Sequence, residues 1–197
     1  MTSRGVPLAT FAPITAAAAG PAAAPAQPAR VTKVFWYTDR RVALWVHSPA
    51  MNTDIQVQIL LARDWWAHPD AKFPQLTMLD GLRAQDDQSG WVINTNIVDF
   101  YKDKNVNVIL PIGGESSFYT DWKQPDRGKT YKWETFLTKE LPPLIDKEFK
   151  TTKANAIAGI SMAGTSVLNL AISAPRLYRS VAAFSGCART SDPVGQE

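Results

Sequence analysis

The sequence predicts an α/β fold, because strand-like and helix-like segments alternate along its second half. Residues 106–114, VNVILPIGG, are dense in Val and Ile and end at a Pro and a Gly pair, as a buried strand does. Residues 155–175 place an apolar run, Ala156 to Ala158, before a Gly-x-Ser turn and a stretch of helix formers. Residues 180–186, SVAAFSG, read as another buried strand. Such alternation predicts a parallel sheet with helices on its faces.

Composition limits the possible functions. The chain has 197 residues, 45% of them hydrophobic, which is enough for one domain with a sizeable core. The net charge of +3 comes from scattered basic residues, which argues against nucleic-acid binding. No apolar run reaches the roughly 20 residues of a membrane helix. Cys187 is the single cysteine, so we expect no intrachain disulfide, no Cys/His metal site and no cofactor.

The first thirty residues differ from the rest, because they are rich in Ala and Pro and nearly uncharged. A basic residue, Arg4, precedes a weak apolar stretch from Val6 to Ala19, which is typical of a damaged or mis-started secretory signal. An ordinary disordered tail is the alternative. In either case we expect residues 1–30 to lie outside the fold and residues 31–197 to form the domain.

The first half of the domain predicts strands. Residues 31–38 and 41–48 flank the polar turn Asp39-Arg40 and predict a hairpin. Residues 54–62 alternate polar and apolar side chains and predict a third strand, while residues 75–81 predict a short strand that leads into a functional loop at Asp80-Gly81.

Two further segments have helical spacing. Residues 95–105 predict a helix, and residues 132–149 predict a longer one that Pro142 and Pro143 kink or divide.

The Gly-x-Ser turn is a candidate nucleophile site. In a nucleophile elbow, small residues let a strained strand-to-helix turn expose a serine hydroxyl. Gly159 and Ala163 flank Ser161 in this way, and the amide of Met162 would lie at a helix N-terminus, where it could donate to an oxyanion. The alternative is a serine that caps the helix.

Longer motifs make the chain similar to a known family. The segments LDGLRAQDDQSGW, INT, PIGGESSFYTDW, YKWETFLTKELP and GISMAGTSVLNLA follow in the same order as in the mycolyltransferases of the antigen 85 group. The resemblance runs from about Gln56 to Gly186 and identifies the chain as the N-terminal portion of such an enzyme. It implies an α/β-hydrolase fold that is incomplete at the C-terminus.

The resemblance also implies roles for individual residues. Ser161 matches the acylated nucleophile, and the backbone amides of Leu82 and Met162 match the two oxyanion-hole donors. Asp80 and Arg83 match positions that contact trehalose, and Asn94 falls in the corresponding INT segment; without the resemblance, a surface salt bridge on a loop would be the favoured explanation of Asp80 and Arg83. The reaction implied is transfer of mycolyl groups from trehalose monomycolate to trehalose glycolipid or arabinogalactan, in a secreted or cell-envelope protein.

Two positions depart from the family pattern near the expected site. Val92 stands where an aspartate is expected, and Glu115 stands where a glutamine is expected. We expect these changes to alter the preference for the acceptor.

The catalytic base is not evident in the sequence. The triad order of this fold is serine, acid, histidine, but no histidine follows Ser161. His47 and His68 precede it, and we expect both to be structural or exposed. The chain is therefore expected to lack the acid and the histidine of the triad.

Two alternatives stay open. One is a non-catalytic envelope protein that binds glycolipid or fibronectin, since residues 99–114 correspond to the fibronectin-binding region of antigen 85 relatives. The other is a plain carboxylesterase, because water can hydrolyse any acyl-enzyme that is open to it.

Overall fold

In the part of the chain that the structure describes, one mixed sheet of seven strands organises the fold. The computed structural model describes residues 27–188. The strands lie in the order β1-β2-β3-β5-β4-β6-β7. They are β1 (Arg30–Thr38), β2 (Arg41–Ser48), β3 (Thr53–Leu60), β4 (Phe73–Leu79), β5 (Asn107–Pro111), β6 (Thr151–Ile160) and β7 (Tyr178–Phe184).

Strand direction changes halfway across the sheet. The first three strands form an antiparallel meander, and β3 pairs antiparallel with β5. From β5 onward the pairs β5–β4, β4–β6 and β6–β7 are all parallel. The predicted hairpin about Asp39 and Arg40 and the predicted parallel sheet of the second half are both confirmed. Because β4 and β6 are parallel neighbours, the residues that follow them meet at one end of the sheet.

Within residues 27–188, five α-helices and one π-helical turn flank the sheet. The π turn, Phe136–Glu140, separates α3 from α4. The helices are α1 (Gly90–Asn94), α2 (Ile97–Tyr101), α3 (Trp133–Thr135), α4 (Leu141–Glu148) and α5 (Met162–Ser173).

Two apolar clusters fill the two faces of the sheet. On one face, α4 and α5 bury side chains such as Leu144 and Val167 against β2, β3 and β6. On the other face, Ile97 of α2 packs with Leu110 and Ala158, and Trp91 lies against this smaller cluster. The side chains of β6 alternate between the clusters, which is the period expected of a strand covered on both faces.

The predicted helix over residues 132–149 is divided, as its prolines indicated. Pro142 and Pro143 lie in the first turn of α4, where backbone N–H groups have no partner within the helix and a proline costs little. The π turn before them, Phe136–Glu140, was not predicted.

Several elements differ from those expected. The predicted helix over residues 95–105 is only α2, and α1 was not predicted at all. Arg30, assigned to the N-terminal segment, already belongs to β1. The proposed signal-like segment otherwise lies almost wholly outside the described residues. In the described part of the chain, no helix combines the length and the apolar character needed to cross a bilayer.

Candidate functional site

Ser161 sits at a sharp bend between β6 and α5. Its backbone has φ 57° and ψ −120°, a conformation that is strained for any residue with a Cβ. The N–H of Ser161 donates to the carbonyl of Phe184 at 2.8 Å, and its carbonyl accepts from Gly164 at 2.9 Å. These two hydrogen bonds hold the bend between the end of β7 and the first turn of α5.

The side chain of Ser161 is exposed to solvent. The hydroxyl makes no capping hydrogen bond to α5, so the alternative of a helix-capping serine is wrong. A hydroxyl held out at a strained turn without a structural partner is the arrangement expected of a nucleophile elbow.

Small neighbours allow the bend to form. A methyl group placed on Gly159 would lie 2.5 Å from the carbonyl oxygen of Ala163, closer than real Cβ contacts come. At Gly164 an added methyl group would lie 2.6 Å from the carbonyl oxygen of Phe184. Gly159 and Gly164 therefore let β6, α5 and β7 converge on Ser161.

The loop after β4 lies directly over Ser161. A methyl group placed on Gly81 would lie 3.4 Å from the Cβ of Ser161 and 3.9 Å from its Oγ. Leu82 comes next in this loop. Among residues 27–188, neither the amide of Leu82 nor that of Met162 donates to another backbone or side-chain group. Both amides therefore lack an acceptor in the described part of the chain, with Leu82 exposed and Met162 buried at the start of α5.

The Gly-Gly-x-Ser-Ser block supports both of these residues. The N–H of Ser116 donates to the carbonyl of Leu82 at 3.0 Å, and the N–H of Phe118 lies 3.3 Å from the sulfur of Met162. Gly113 and Gly114 turn the chain with positive φ values of 106° and 87°. Sequence reasoning recognised this block as a motif but missed its contacts, because both join positions far apart in the chain.

Asp80 is 4% exposed and is anchored to the start of α1. Its two carboxylate oxygens accept from the N–H of Gly90 at 2.9 Å and from that of Trp91 at 3.2 Å. Burial raises the pKa of this carboxyl above its ordinary value, and the two backbone hydrogen bonds oppose part of that shift. Asp80 thus joins the loop over Ser161 to the helix that carries Asn94.

Asp80, Arg83 and Asn94 line one cavity of about 250 Å³. Ile160, which precedes Ser161 in the chain, and Gly81, which lies over Ser161, line this cavity as well. In the described part of the chain, no ion pair joins Asp80 to Arg83, so the salt-bridge explanation of these two residues is wrong. The three candidate sugar contacts are brought together beside Ser161.

The two departures from the family pattern lie in different places. Val92 packs against the smaller apolar cluster. Glu115 lines a second cavity of about 490 Å³, together with Asp86 and Lys129, which form an ion pair at 3.2 Å. Neither residue lines the cavity of Asp80 and Arg83.

Both histidines are distant from the bend. His47 lies on β2, four strands from β6 and so about 19 Å across the sheet, and its Nδ1 is 2.9 Å from a carboxylate oxygen of Asp54. His68 is exposed in the loop before β4. The expectation that both are structural or exposed is confirmed, and among residues 27–188 no histidine lies beside Ser161.

Residues 99–114, for which the resemblance predicts fibronectin binding, are only partly accessible. Residues 107–114 are buried in and just after the central strand β5. Phe100 is exposed on α2, and so are most residues of the turn that follows it. Only residues before β5 could therefore meet a partner.

Known proteins are similar to this chain in sequence. The Esterase family model matches residues 48–196. The chain is 46% identical over 158 residues to the diacylglycerol acyltransferase/mycolyltransferase Ag85A of Mycobacterium leprae (strain TN), covering 77% of this chain and 46% of that relative. The chain thus spans about half the length of the curated relatives it matches.

Solved structures agree on the fold. MPT51 (FbpC1) of Mycobacterium tuberculosis superposes with a TM-score of 0.64 at 28% identity, over 78% of this chain and 53% of that one. FphF, a fluorophosphonate-binding serine hydrolase of Staphylococcus aureus, superposes with a TM-score of 0.65 at 21% identity, over 76% of this chain and 58% of that one. The second similarity is one of fold alone.

Proposed function

Because this chain belongs to the Esterase family, with an α/β-hydrolase fold, and is similar to antigen 85 mycolyltransferases, we propose that Ser161 is the nucleophile of an acyltransferase. The observation that carries the proposal is the exposed hydroxyl of Ser161 at a strained bend, with the Gly81-Leu82 loop directly over it. The amides of Leu82 and Met162, which lack partners in the described residues, are proposed as the oxyanion donors.

The proposed reaction has two steps, acylation of Ser161 and transfer of the acyl group to an acceptor. The Oγ of Ser161 attacks the carbonyl carbon of an ester, its proton passes to a base, and the carbonyl oxygen becomes an oxyanion held by the two amides. The bond to the leaving alcohol then breaks, and that alcohol takes the proton from the base. An acceptor hydroxyl reverses the sequence and releases the serine. Neither described histidine reaches Ser161, so neither His47 nor His68 is assigned as the base that accepts this proton.

The cavity beside Ser161 supports a sugar alcohol as leaving group and acceptor. Arg83 and Asn94 are exposed in its wall and offer hydrogen-bond donors, while Trp91 contributes an apolar surface. We propose trehalose mycolates as donors and trehalose glycolipid or cell-wall arabinogalactan as acceptors. Such substrates place the protein outside the cytoplasm, in the cell envelope or secreted. Asp80 holds the loop in position and contributes its remaining lone pairs.

The test uses the longest open reading frame that contains this sequence, purified as a soluble protein. We expect a fluorophosphonate probe to label it at Ser161, and Ser161→Ala to abolish the label without lowering the melting temperature. Absence of labelling in a folded protein would contradict the nucleophile assignment.

A second measurement separates transfer from hydrolysis. With a trehalose ester as donor, Arg83→Ala should lower transfer to trehalose by about tenfold through lost hydrogen bonds, while phosphonate labelling persists. The matched control is Arg176→Ala, an exposed arginine after α5 that does not line the cavity. Hydrolysis of short acyl esters without transfer would instead favour the carboxylesterase alternative. Glycolipid or fibronectin binding that survives Ser161→Ala, in a protein without transferase activity, would favour the binding-protein alternative.

A further inference from the structure

A large apolar groove lies at the β1 edge of the sheet, and we call it the edge groove. It has a volume of about 1220 Å³ and runs between β1, β2 and α4. Its apolar lining includes Val34, Trp36, Leu44, Trp66 and Leu144. We propose that the edge groove binds the acyl chain of a single anionic amphiphile, such as a long-chain fatty acid.

The edge groove is separate from the site at Ser161. Lys150 lines the groove just before β6 begins, and Ser161 follows the last residue of β6. The ten residues of β6 therefore separate the two sites by about 30 Å. The strand β1, which forms one wall, lies before residue 48, where the family match begins. The proposal does not depend on the function proposed for Ser161.

The shape and lining of the edge groove suit a hydrocarbon chain. Val34 is 50% exposed and Trp36 is 47% exposed, although both face a concave surface. The rings of Trp36 and Trp66 lie 6.3 Å apart and form part of an aromatic wall. Apolar side chains exposed in a concave site gain most from a ligand that removes them from water. A flat bilayer surface would leave such a volume unfilled.

The charges around the edge groove favour an anionic head group. The carboxylate of Glu140 accepts hydrogen bonds from the hydroxyl of Ser48 and the N–H of Ala50. The carboxylate of Glu148 forms an ion pair with Lys147 at 3.2 Å. Lys139 is exposed at the rim.

A second lysine adds to this charge. Lys150 donates to the carbonyl of Trp65 and lies over its ring at 4.8 Å. Neither Lys139 nor Lys150 is paired with a carboxylate among residues 27–188. The rim therefore offers two lysines whose charge is not neutralised, which attract a carboxylate or a phosphate.

The test measures tryptophan fluorescence of the full 197-residue chain. Three of its seven tryptophans, at positions 36, 65 and 66, line the groove. Dibromostearate, added below its micelle concentration, should quench this fluorescence to saturation. The uncharged dibromostearyl alcohol should bind about tenfold more weakly, since it lacks the carboxylate that the lysines attract.

Two neighbouring residues of β1 provide matched variants. Val34 lines the groove, whereas Phe35 points to the opposite face of the strand and is equally exposed at 50%. Val34→Asp should weaken dibromostearate binding by about tenfold or more, because it puts a charge into the acyl site, and Phe35→Asp should leave binding unchanged. Lys139→Glu should weaken it as well, whereas Lys102→Glu, on an exposed lysine outside the groove, should not.

Four results would overturn the proposal. They are quenching that never saturates, equal loss of binding in Val34→Asp and Phe35→Asp, equal affinity for the acid and the alcohol, and quenching only by lipid vesicles. Self-association that Val34→Asp abolishes, without dibromostearate binding, would instead assign the edge groove to contact between copies of the chain.

Discussion

Ser161 holds a backbone conformation that costs about 1–3 kcal/mol in a residue with a side chain. Two features of its surroundings maintain it. The carbonyl of Phe184 accepts its N–H, and Gly159 and Gly164 leave the space that the tight bend requires. This strained conformation keeps the hydroxyl directed away from α5. In an ordinary N-cap conformation the hydroxyl would accept a hydrogen bond from the start of that helix.

Gly159→Ala should disrupt this bend. The new methyl group would meet the backbone of Ala163 at 2.5 Å, so we expect the free energy of unfolding to fall by about 3 kcal/mol and phosphonate labelling of Ser161 to be lost. Chemical denaturation measures the first effect, and the probe measures the second.

The matched control is Gly81→Ala, whose methyl group would meet the Cβ of Ser161 at an ordinary 3.4 Å. We expect it to change stability by less than about 0.5 kcal/mol. Equal destabilisation by the two variants would show that the packing at Gly159 has no special importance.

The sequence was informative about Ser161 because its signal is local, consisting of small residues, a strand before and a helix after. The burial of Asp80 was less predictable. Its partners Gly90 and Trp91 belong to α1, a five-residue helix without a side-chain cap. The neighbouring sequence therefore does not predict that Asp80 is buried. From sequence alone, a carboxylate before a loop is predicted to be exposed. Only the tertiary hydrogen bonds of Asp80 explain why it is buried.

The loop between β5 and α3 contains a turn built on one buried hydroxyl. Ser117 donates to the carbonyl of Gly114 at 2.7 Å and accepts from the N–H of Tyr119 at 3.0 Å. Tyr119 is fully buried, and its own hydroxyl donates to the carbonyl of Gly113. This turn sets the position of Phe118 and Ser116, and through them the positions of Met162 and Leu82.

Ser117→Ala should destabilise the protein by about 1–3 kcal/mol, because it leaves the buried N–H of Tyr119 without a partner and removes one of the two hydrogen bonds that the carbonyl of Gly114 accepts. The neighbouring change Ser116→Ala removes an exposed hydroxyl that makes no hydrogen bond in the described residues, and it should cost less than about 0.5 kcal/mol. Thermal unfolding of the two variants, measured side by side, checks the difference. A smaller effect at position 117 than at position 116 would contradict this account.

The strands were predictable because Val, Ile and aromatic residues repeat in them with period two or in short buried runs. The π turn at Phe136–Glu140 was not predictable, since its sequence has ordinary helical spacing. Pro142 and Pro143 predicted where the helix over residues 132–149 is divided, but they did not predict the π turn.

The sheet exposes apolar residues along β7, its last described strand. Phe184 is 50% exposed and Val181 is 39% exposed, and no described strand pairs with the outer edge of β7. An apolar strand edge of this kind is a template for association with other chains.

We therefore expect the 197-residue chain to self-associate as its concentration rises, and Val181→Lys to shift that association to severalfold higher concentration. The matched control is Val98→Lys, which adds the same charge at a valine of similar exposure, 40%, on α2. Sedimentation velocity over a concentration series distinguishes the variants. A chain that stays monomeric throughout, or variants that behave alike, would contradict the role given to β7.

The hydrogen bond from the N–H of Ser161 to the carbonyl of Phe184 has a consequence for synthesis on the ribosome. A nascent chain that has emerged only as far as Pro175 contains the serine and its helix but lacks the acceptor that holds the turn. The bend that carries the serine is therefore expected to form late in translation, after β7 has left the exit tunnel and paired with β6.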